Sequence, residues 1–155
     1  MGSDLAPVLA ECRAILARGS KSFAAASHLL PARLRDPVAA FYAFCRVSDD
    51  AVDESLDPQS ALSSLRDRLD GIYAGEPGPH PADRGLAWVV ARHGLDRAPI
   101  DALLEGYAWD AEGRQYERLA DVLAYSVRVA ASVGVAMTLL MGVRDRRVLA
   151  RAVDL

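Results

Sequence analysis

Cysteine is scarce in this sequence: Cys12 and Cys45 are the only two, both within apolar runs of helical spacing. That excludes a disulfide framework and suits free core thiols in a reducing cytoplasm. A basic excess is also missing. Lys and Arg total 18 against 21 Asp and Glu, a net charge of −3, so no nucleic-acid surface is expected. No leader segment is expected at the start of this sequence, because Asp4 and Glu11 interrupt the apolar residues of any signal core. The longest uncharged run, Val129 to Val143, is short for a bilayer and rich in Ala, Gly and Ser, which reads as a buried helix. HExxH, CxxC, GxSxG and phosphate-loop sequences are all lacking, and His28, His80 and His93 stand at unrelated spacings, a loop-flanking or surface set. Repeats and low-complexity stretches are lacking too.

What is present is one ordinary domain's worth of chain, 155 residues with 52% hydrophobic and 25% charged content, a globular balance. Leu5, Val8, Leu9, Cys12, Ile15 and Leu16 recur at helical spacing, with Gly19 as the expected C-terminal cap. Asp36-Pro37 reads as an N-cap and first-turn proline opening a helix to about Asp53, and Asp57-Pro58 repeats the signal ahead of Leu62, Leu65, Leu69 and Ile72. Ala74 to Pro81 is a loop; further helices are expected over Pro81 to His93 with Gly94 as stop, from Pro99, over Leu119 to Met141, and from Arg144. No segment alternates apolar and polar residues as a strand does. The expected fold is all-α, a packed orthogonal or bundle-like array.

Chemistry concentrates in FYAFCRVSDDAVDE, residues 41 to 54. On a helix Tyr42, Arg46, Asp49 and Asp53 share one stripe, beside an apolar stripe of Val38, Phe41, Cys45 and Val52. Asp49 and Asp53 stand one turn apart, and like charges at that spacing cost a few tenths of a kcal/mol. They also lie at a helix C-terminus, where the macrodipole disfavours anions. A divalent cation removes both penalties, and Mg2+ characteristically takes one or two carboxylates plus phosphate oxygens. Two readings stand side by side: a hydrated helix end with Arg46 paired to Asp49, and a metal–diphosphate site.

The surrounding sequence separates them. GSKSF (Gly19 to Phe23), LLP (Leu29 to Pro31), YAFCR (Tyr42 to Arg46) and DDAVDE follow the order and spacing of the phytoene/squalene synthase family of head-to-head prenyl synthases. EGYAWDAEGRQY (Glu105 to Tyr116) resembles that family's central motif, and LAYSVRVAASVG (Leu123 to Gly134) its long pocket helix. DDAVDE alone also fits the DDxxD pattern of chain-elongating prenyltransferases and terpene cyclases; the other motifs point to the head-to-head family.

The resemblance implies a helical isoprenoid-synthase array in which Asp49 and Asp53 bind Mg2+ (or Mn2+) on a prenyl diphosphate. Arg46, Ser20 and Ser22 would contact the same diphosphate, and Phe23 and Tyr42 would flank the reacting carbon. Tyr125, Val129, Ala130, Val133 and Gly134 would line the prenyl channel, with Tyr42, Arg46 and Tyr125 as the catalytic set. The implied reaction joins two geranylgeranyl diphosphates through a cyclopropyl diphosphate to phytoene, or two farnesyl diphosphates to squalene or dehydrosqualene. Such an enzyme would be cytoplasmic, with peripheral contact to the inner membrane.

Departures accompany the likeness. Ser126 stands where Cys is common, and Ala131 replaces a glycine, which would narrow the channel by one methyl. The family carries a second aspartate-rich helix downstream, and the sequence stops at RAVDL, about where that helix is expected. Arg144, Arg146, Arg147 and Arg151 do not reproduce it and read as a solvated helix face. Residues 1–155 are therefore expected to be the N-terminal portion of one isoprenoid synthase domain, poorly active alone. The alternative is a non-catalytic half-domain needing a partner chain to supply the second motif.

Overall fold

The computed structural model describes residues 5–154; Asp4, one of the two residues expected to interrupt a leader, and Leu155 lie outside them. The described residues form helices and connections, without a strand. In chain order these are α1 (Leu5–Gly19), α2 (Lys21–Ser27), α3 (Ala32–Asp53), α4 (Pro58–Ala74), α5 (Pro81–His93), α6 (Ala98–Ala111) and α7 (Leu119–Ser126). A π-helical turn (Val127–Ala131) joins α7 to α8 (Ser132–Leu140), and α9 (Arg146–Val153) lies beyond.

Local chemistry accounts for several boundaries. Asp57 caps α4 by accepting from Ser60 N–H at 3.2 Å, with Pro58 in the first turn where its missing donor costs nothing. Gly75 ends that helix at φ 82°, with Glu76 N–H donating to Gly71 O at 2.8 Å and Gly75 N–H to Ile72 O at 3.2 Å, a Schellman closure. Gly94 at φ 59° stops α5 as expected.

Two expectations are corrected, and one helix is added. Gly19 is the last helical residue of α1 and not a left-handed cap; a Cβ there would stand 2.6 Å from Tyr42 Oη, so its role is close approach. Helix α3 starts at Ala32, so Pro37 sits inside it, buried in the second turn, where only one early hydrogen bond is forfeited. Helix α2 was not anticipated because its seven residues carry no apolar period; Ser20 starts it by accepting from Phe23 N–H at 3.2 Å.

The core is built on α3, against which α1, α5 and α4 pack, while α6 carries the π turn and α8. Phe44, Leu62, Leu65, Leu69, Ile72, Leu86 and Ile100 are almost wholly buried within one contiguous cluster. Under it Arg68 grips the buried Asp83 through two hydrogen bonds of 2.6 and 3.0 Å, closing α4 onto α5.

The uncharged run packs as a largely buried or half-buried segment, and the exposure lies ahead of it in the chain. Ala136, Leu139 and Leu140 are buried, but the run belongs to a continuous 22-residue helix, Leu119–Leu140, whose first half lies open. Leu119, Val122 and Leu123 are exposed on α7. Among the described residues this is the one helix long and apolar enough to cross a membrane by length and composition.

Candidate functional site

Helix α3 delivers the acidic residues to one end of the core. Its last turn and a half holds Asp49, Asp50 and Asp53 without a basic residue in the final turn. Arg46 pairs with Asp50 and not, as the spacing suggested, with Asp49: Nη2 to Oδ1 is 2.7 Å and Nε to Oδ2 is 3.1 Å. The i,i+4 separation favours that fork over i,i+3. Neither Asp49 nor Asp53 has a hydrogen bond or ion pair among the described residues. Asp49's carboxyl is held above its ordinary range, first by burial and then by the charge of Asp53; Asp50 and Asp110 push the same way and Arg46 opposes them.

Asp49 opens into a polar cavity of about 290 Å³ between α3, α6 and the long helix. Asp110 and Tyr107 reach it from α6, and Tyr125, Val129 and Val133 from the long helix. Tyr125 donates its hydroxyl to Asp110 at 2.8 Å, and burial followed by that bond pushes its phenol up to about 12. Tyr107 donates to Cys45 O at 3.2 Å, which fixes α6 against α3 beside the acids. The Tyr42 phenol is likewise raised, chiefly by burial.

An apolar cavity of about 530 Å³ adjoins it, walled by Phe23, Leu30, Val38, Phe41, Ala130 and Met137 among others. Phe23 and Tyr42 meet there with ring centroids 5.9 Å apart and a 43° tilt. Tyr42, Cys45, Val129 and Val133 line both spaces and so form their shared boundary. On the far side of Arg46, a third cavity of about 560 Å³ lies between α1, α3 and the start of α5, with Arg18, Asp50 and His80 on its walls.

The sequence-derived residues distribute unevenly over this geometry. Tyr42, Arg46, Asp49, Tyr125, Val129 and Val133 meet at the polar cavity, and Phe23 and Ala130 at the apolar one. Asp53 is exposed one turn beyond Asp49. Ser20 and Ser22 line neither cavity; the Ser20 hydroxyl is spent capping α2, and Ser22 is exposed on it. Gly134 does not line the channel, because it faces α9, where a Cβ would stand 3.2 Å from Ala152 O. Ala131 is buried off the cavity wall, so its methyl does not narrow the channel.

Two polar residues that line the polar cavity were missed as site residues, Asp110 and Tyr107. Both lie in EGYAWDAEGRQY, three residues apart and therefore on one helical face, which is the signal that reveals them. A chain of aromatic contacts supports them: Trp109 to Tyr116 at 6.3 Å and Tyr116 to Tyr125 at 5.2 Å. Arg114 and Arg128 stack on Trp109 at 3.9 and 4.1 Å. Of the remaining orphans, Arg144 donates to His93 O at 2.6 Å, while Arg146, Arg147 and Arg151 are exposed on α9, the solvated face expected of them.

A divalent cation fits the donor set here in one respect. Two uncompensated carboxylates a turn apart offer hard oxygens, one of them already disfavoured as a bare anion. No group of three His, Cys, Asp or Glu converges among the described residues.

Comparison with known proteins gives the family. Residues 16–155 match the squalene/phytoene synthase family. The phytoene synthase of Rhodobacter capsulatus is 56% identical over 147 residues, 93% of this chain and 43% of that protein. The 15-cis-phytoene synthase of a Paracoccus species is 43% identical over 163 residues, 99% of this chain and 52% of that one. The chain thus spans about half the length of these relatives. Among solved structures, a dehydrosqualene synthase in complex with ligand superposes with a TM-score of 0.81 at 34% identity, covering 88% of this chain and 48% of that one. The squalene synthase HpnC from Alicyclobacillus acidocaldarius gives 0.90 at 28% identity, with coverages of 99% and 58%. On the extent of the family match and on the relatives' identity, the chain belongs to the squalene/phytoene synthase family.

Proposed function

We propose that this chain supplies one wall of a Mg2+-dependent synthase that joins two geranylgeranyl diphosphates head to head, through a cyclopropyl diphosphate, to phytoene. The observation that carries the proposal is the adjacency of the two cavities: the unpaired carboxylate of Asp49 opens on one, and apolar side chains wall the other, with a common boundary. A prenyl diphosphate has the same division between head and tail. Relatives named phytoene synthase favour the C40 product.

In this reading Asp49 and Asp53 hold the metal, which when bound supplies positive charge to the departing diphosphate. Arg46 turns its guanidinium from Asp50 to the diphosphate oxygens. Asp110 orients Tyr125 through their 2.8 Å hydrogen bond, so that its ring closes the polar cavity. Loss of diphosphate leaves an allylic cation, which the faces of Phe23 and Tyr42 flank, a contact worth about 2 kcal/mol when desolvated. The apolar wall of Val129, Ala130 and Val133 keeps water from that cation. One diphosphate and one proton leave as the cyclopropyl diphosphate forms.

A second acidic wall comes from sequence beyond these residues, on the same polypeptide or on a partner chain. We place the enzyme in the cytoplasm, with peripheral membrane contact through the open α7 face as the outlet for a greasy product.

The test offers the protein geranylgeranyl or farnesyl diphosphate with Mg2+ or with EDTA and identifies the hydrocarbon. Phytoene formed only with Mg2+, and only by a polypeptide or pair that includes the second wall, is the expected result. A C30 hydrocarbon as main product overturns the substrate assignment. Phytoene from the 155-residue chain by itself overturns the two-wall reading.

A further inference from the structure

Neither Gly19 nor Gly106 sits at positive φ, so the backbone does not require glycine at either place. Both are helical, where glycine is a poorer choice than alanine. Their neighbours explain them. A Cβ on Gly106 would stand 2.5 Å from Val129 Cγ1 and 3.2 Å from Arg128 Cβ. One on Gly19 would stand 2.6 Å from Tyr42 Oη and 3.1 Å from its Cε1. Val129 and Tyr42 are two of the four residues that line both cavities. Gly71 and Gly85 also permit close approach, but to Glu76 O and to Cys12 and Ala40, away from the boundary.

We infer that Gly19 and Gly106 are specificity-determining residues: by leaving room behind Tyr42 and Val129, they keep open the passage between the acidic and apolar cavities. The inference rests on the function proposed above, since only a molecule with a charged head and a long apolar tail spans both spaces. Two elements meet the residues of the passage, α1 behind Tyr42 and α6 behind Val129. The π turn that carries Val129 is seated directly on Gly106. Adding a methyl at either glycine pushes the side chain in front of it into the passage and leaves the carboxylates where they are.

The experiment measures binding by calorimetry on the full-length protein with Mg2+, using two probes. One is geranylgeranyl thiodiphosphate, whose C–S bond resists ionisation; the other is inorganic diphosphate. Gly106→Ala is expected to weaken the thiodiphosphate about tenfold, from the usual cost of forcing one methyl into a packed contact, and to leave inorganic diphosphate unchanged. Val129→Ala in the Gly106→Ala background restores the lost affinity. Gly19→Ala behaves alike and is restored by Tyr42→Phe, which removes the nearest atom, so the two pairs are independent should one variant fold poorly. Equal loss of both probes, or no loss of either, overturns the inference. Failure of the unsubstituted protein to bind the thiodiphosphate overturns the functional reading itself, and the inference with it.

Discussion

Replacing Asp49 with asparagine is expected to stabilise the protein in the absence of metal and to abolish its stabilisation by metal. Asp49 and Asp53 face each other one turn apart near the C-terminal end of α3, whose last turn has no basic residue. Arg46 is committed to Asp50, so its charge offsets that of Asp49 only in part and neither acid has a partner of its own. A like-charge i,i+4 pair costs about 0.2–0.5 kcal/mol and an anion at the wrong end of a helix dipole about 0.3–1 kcal/mol. Both are reduced by solvent at this half-buried position, leaving about 0.5–1 kcal/mol. For a chain of this size that is an upward shift of about 1–4 °C in Tm.

The pH dependence derives from the raised carboxyl of Asp49. Between the ordinary carboxylate pKa and that higher native value, the folded state binds more protons than the unfolded one. Stability therefore falls as pH rises through that window, and Asp49→Asn removes this contribution to the fall. Thermal unfolding monitored by circular dichroism in EDTA, and again with Mg2+ and inorganic diphosphate, reads both effects. Ligand at a hundred times Kd adds about 2.7 kcal/mol to the unsubstituted protein and little to the variant. A lower Tm for Asp49→Asn in EDTA would refute the reasoning, because it would mean that Asp49 already has a stabilising partner.

Two further outcomes are expected from the core. Asp83→Ala leaves Arg68 without its two-pronged partner in a largely buried setting, and urea unfolding should show a loss of about 3–5 kcal/mol, less some relief from the quarter of Arg68 that reaches solvent. Burial, as the leading cause, pushes the thiols of Cys12 and Cys45 up to about 11 and about 12. Iodoacetamide at pH 8 should therefore label the native protein slowly and the urea-unfolded protein fully. Fast native labelling of Cys45 would show that the cavity boundary opens to solvent.

Helices with chemical punctuation were legible in the sequence. Asp57-Pro58 and Gly94 each bring their own hydrogen bonds or backbone angle, and the structure uses them where they stand. Asp36-Pro37 misled because a buried proline in a second turn writes the same two letters as one in a first turn. The acidic stripe was legible for a similar reason, since spacing along one helix fixes which residues share a face. Its pairing was not, because Arg46 had Asp49 at i+3 and Asp50 at i+4, and side-chain geometry chose between them. Asp110 comes from another helix, and no periodicity within α3 announces a carboxylate arriving from α6.

The π turn was the least legible feature and the one that organises the site. A widened turn at Val127–Ala131 has no compositional mark, and the sequence reads through it as one regular helix. The wider turn rotates the helix beyond it, and Gly134 comes to face α9 while Val129, Ala130, Val133 and Met137 share the apolar cavity. The departure from regular bonding has local compensation. Arg128 donates to Ala124 O at 2.8 Å, pairs with Glu105 at 2.9 Å and lies on the Trp109 ring, and Ser132 donates to Arg128 O. Next to Trp109 in sequence is Asp110, which accepts from Tyr125, a residue of the helix just before the turn. The contacts thus close a loop from the turn through α6 and back to α7. The irregularity that shapes the apolar wall is thereby tied by direct contacts to the carboxylate and phenol of the polar cavity.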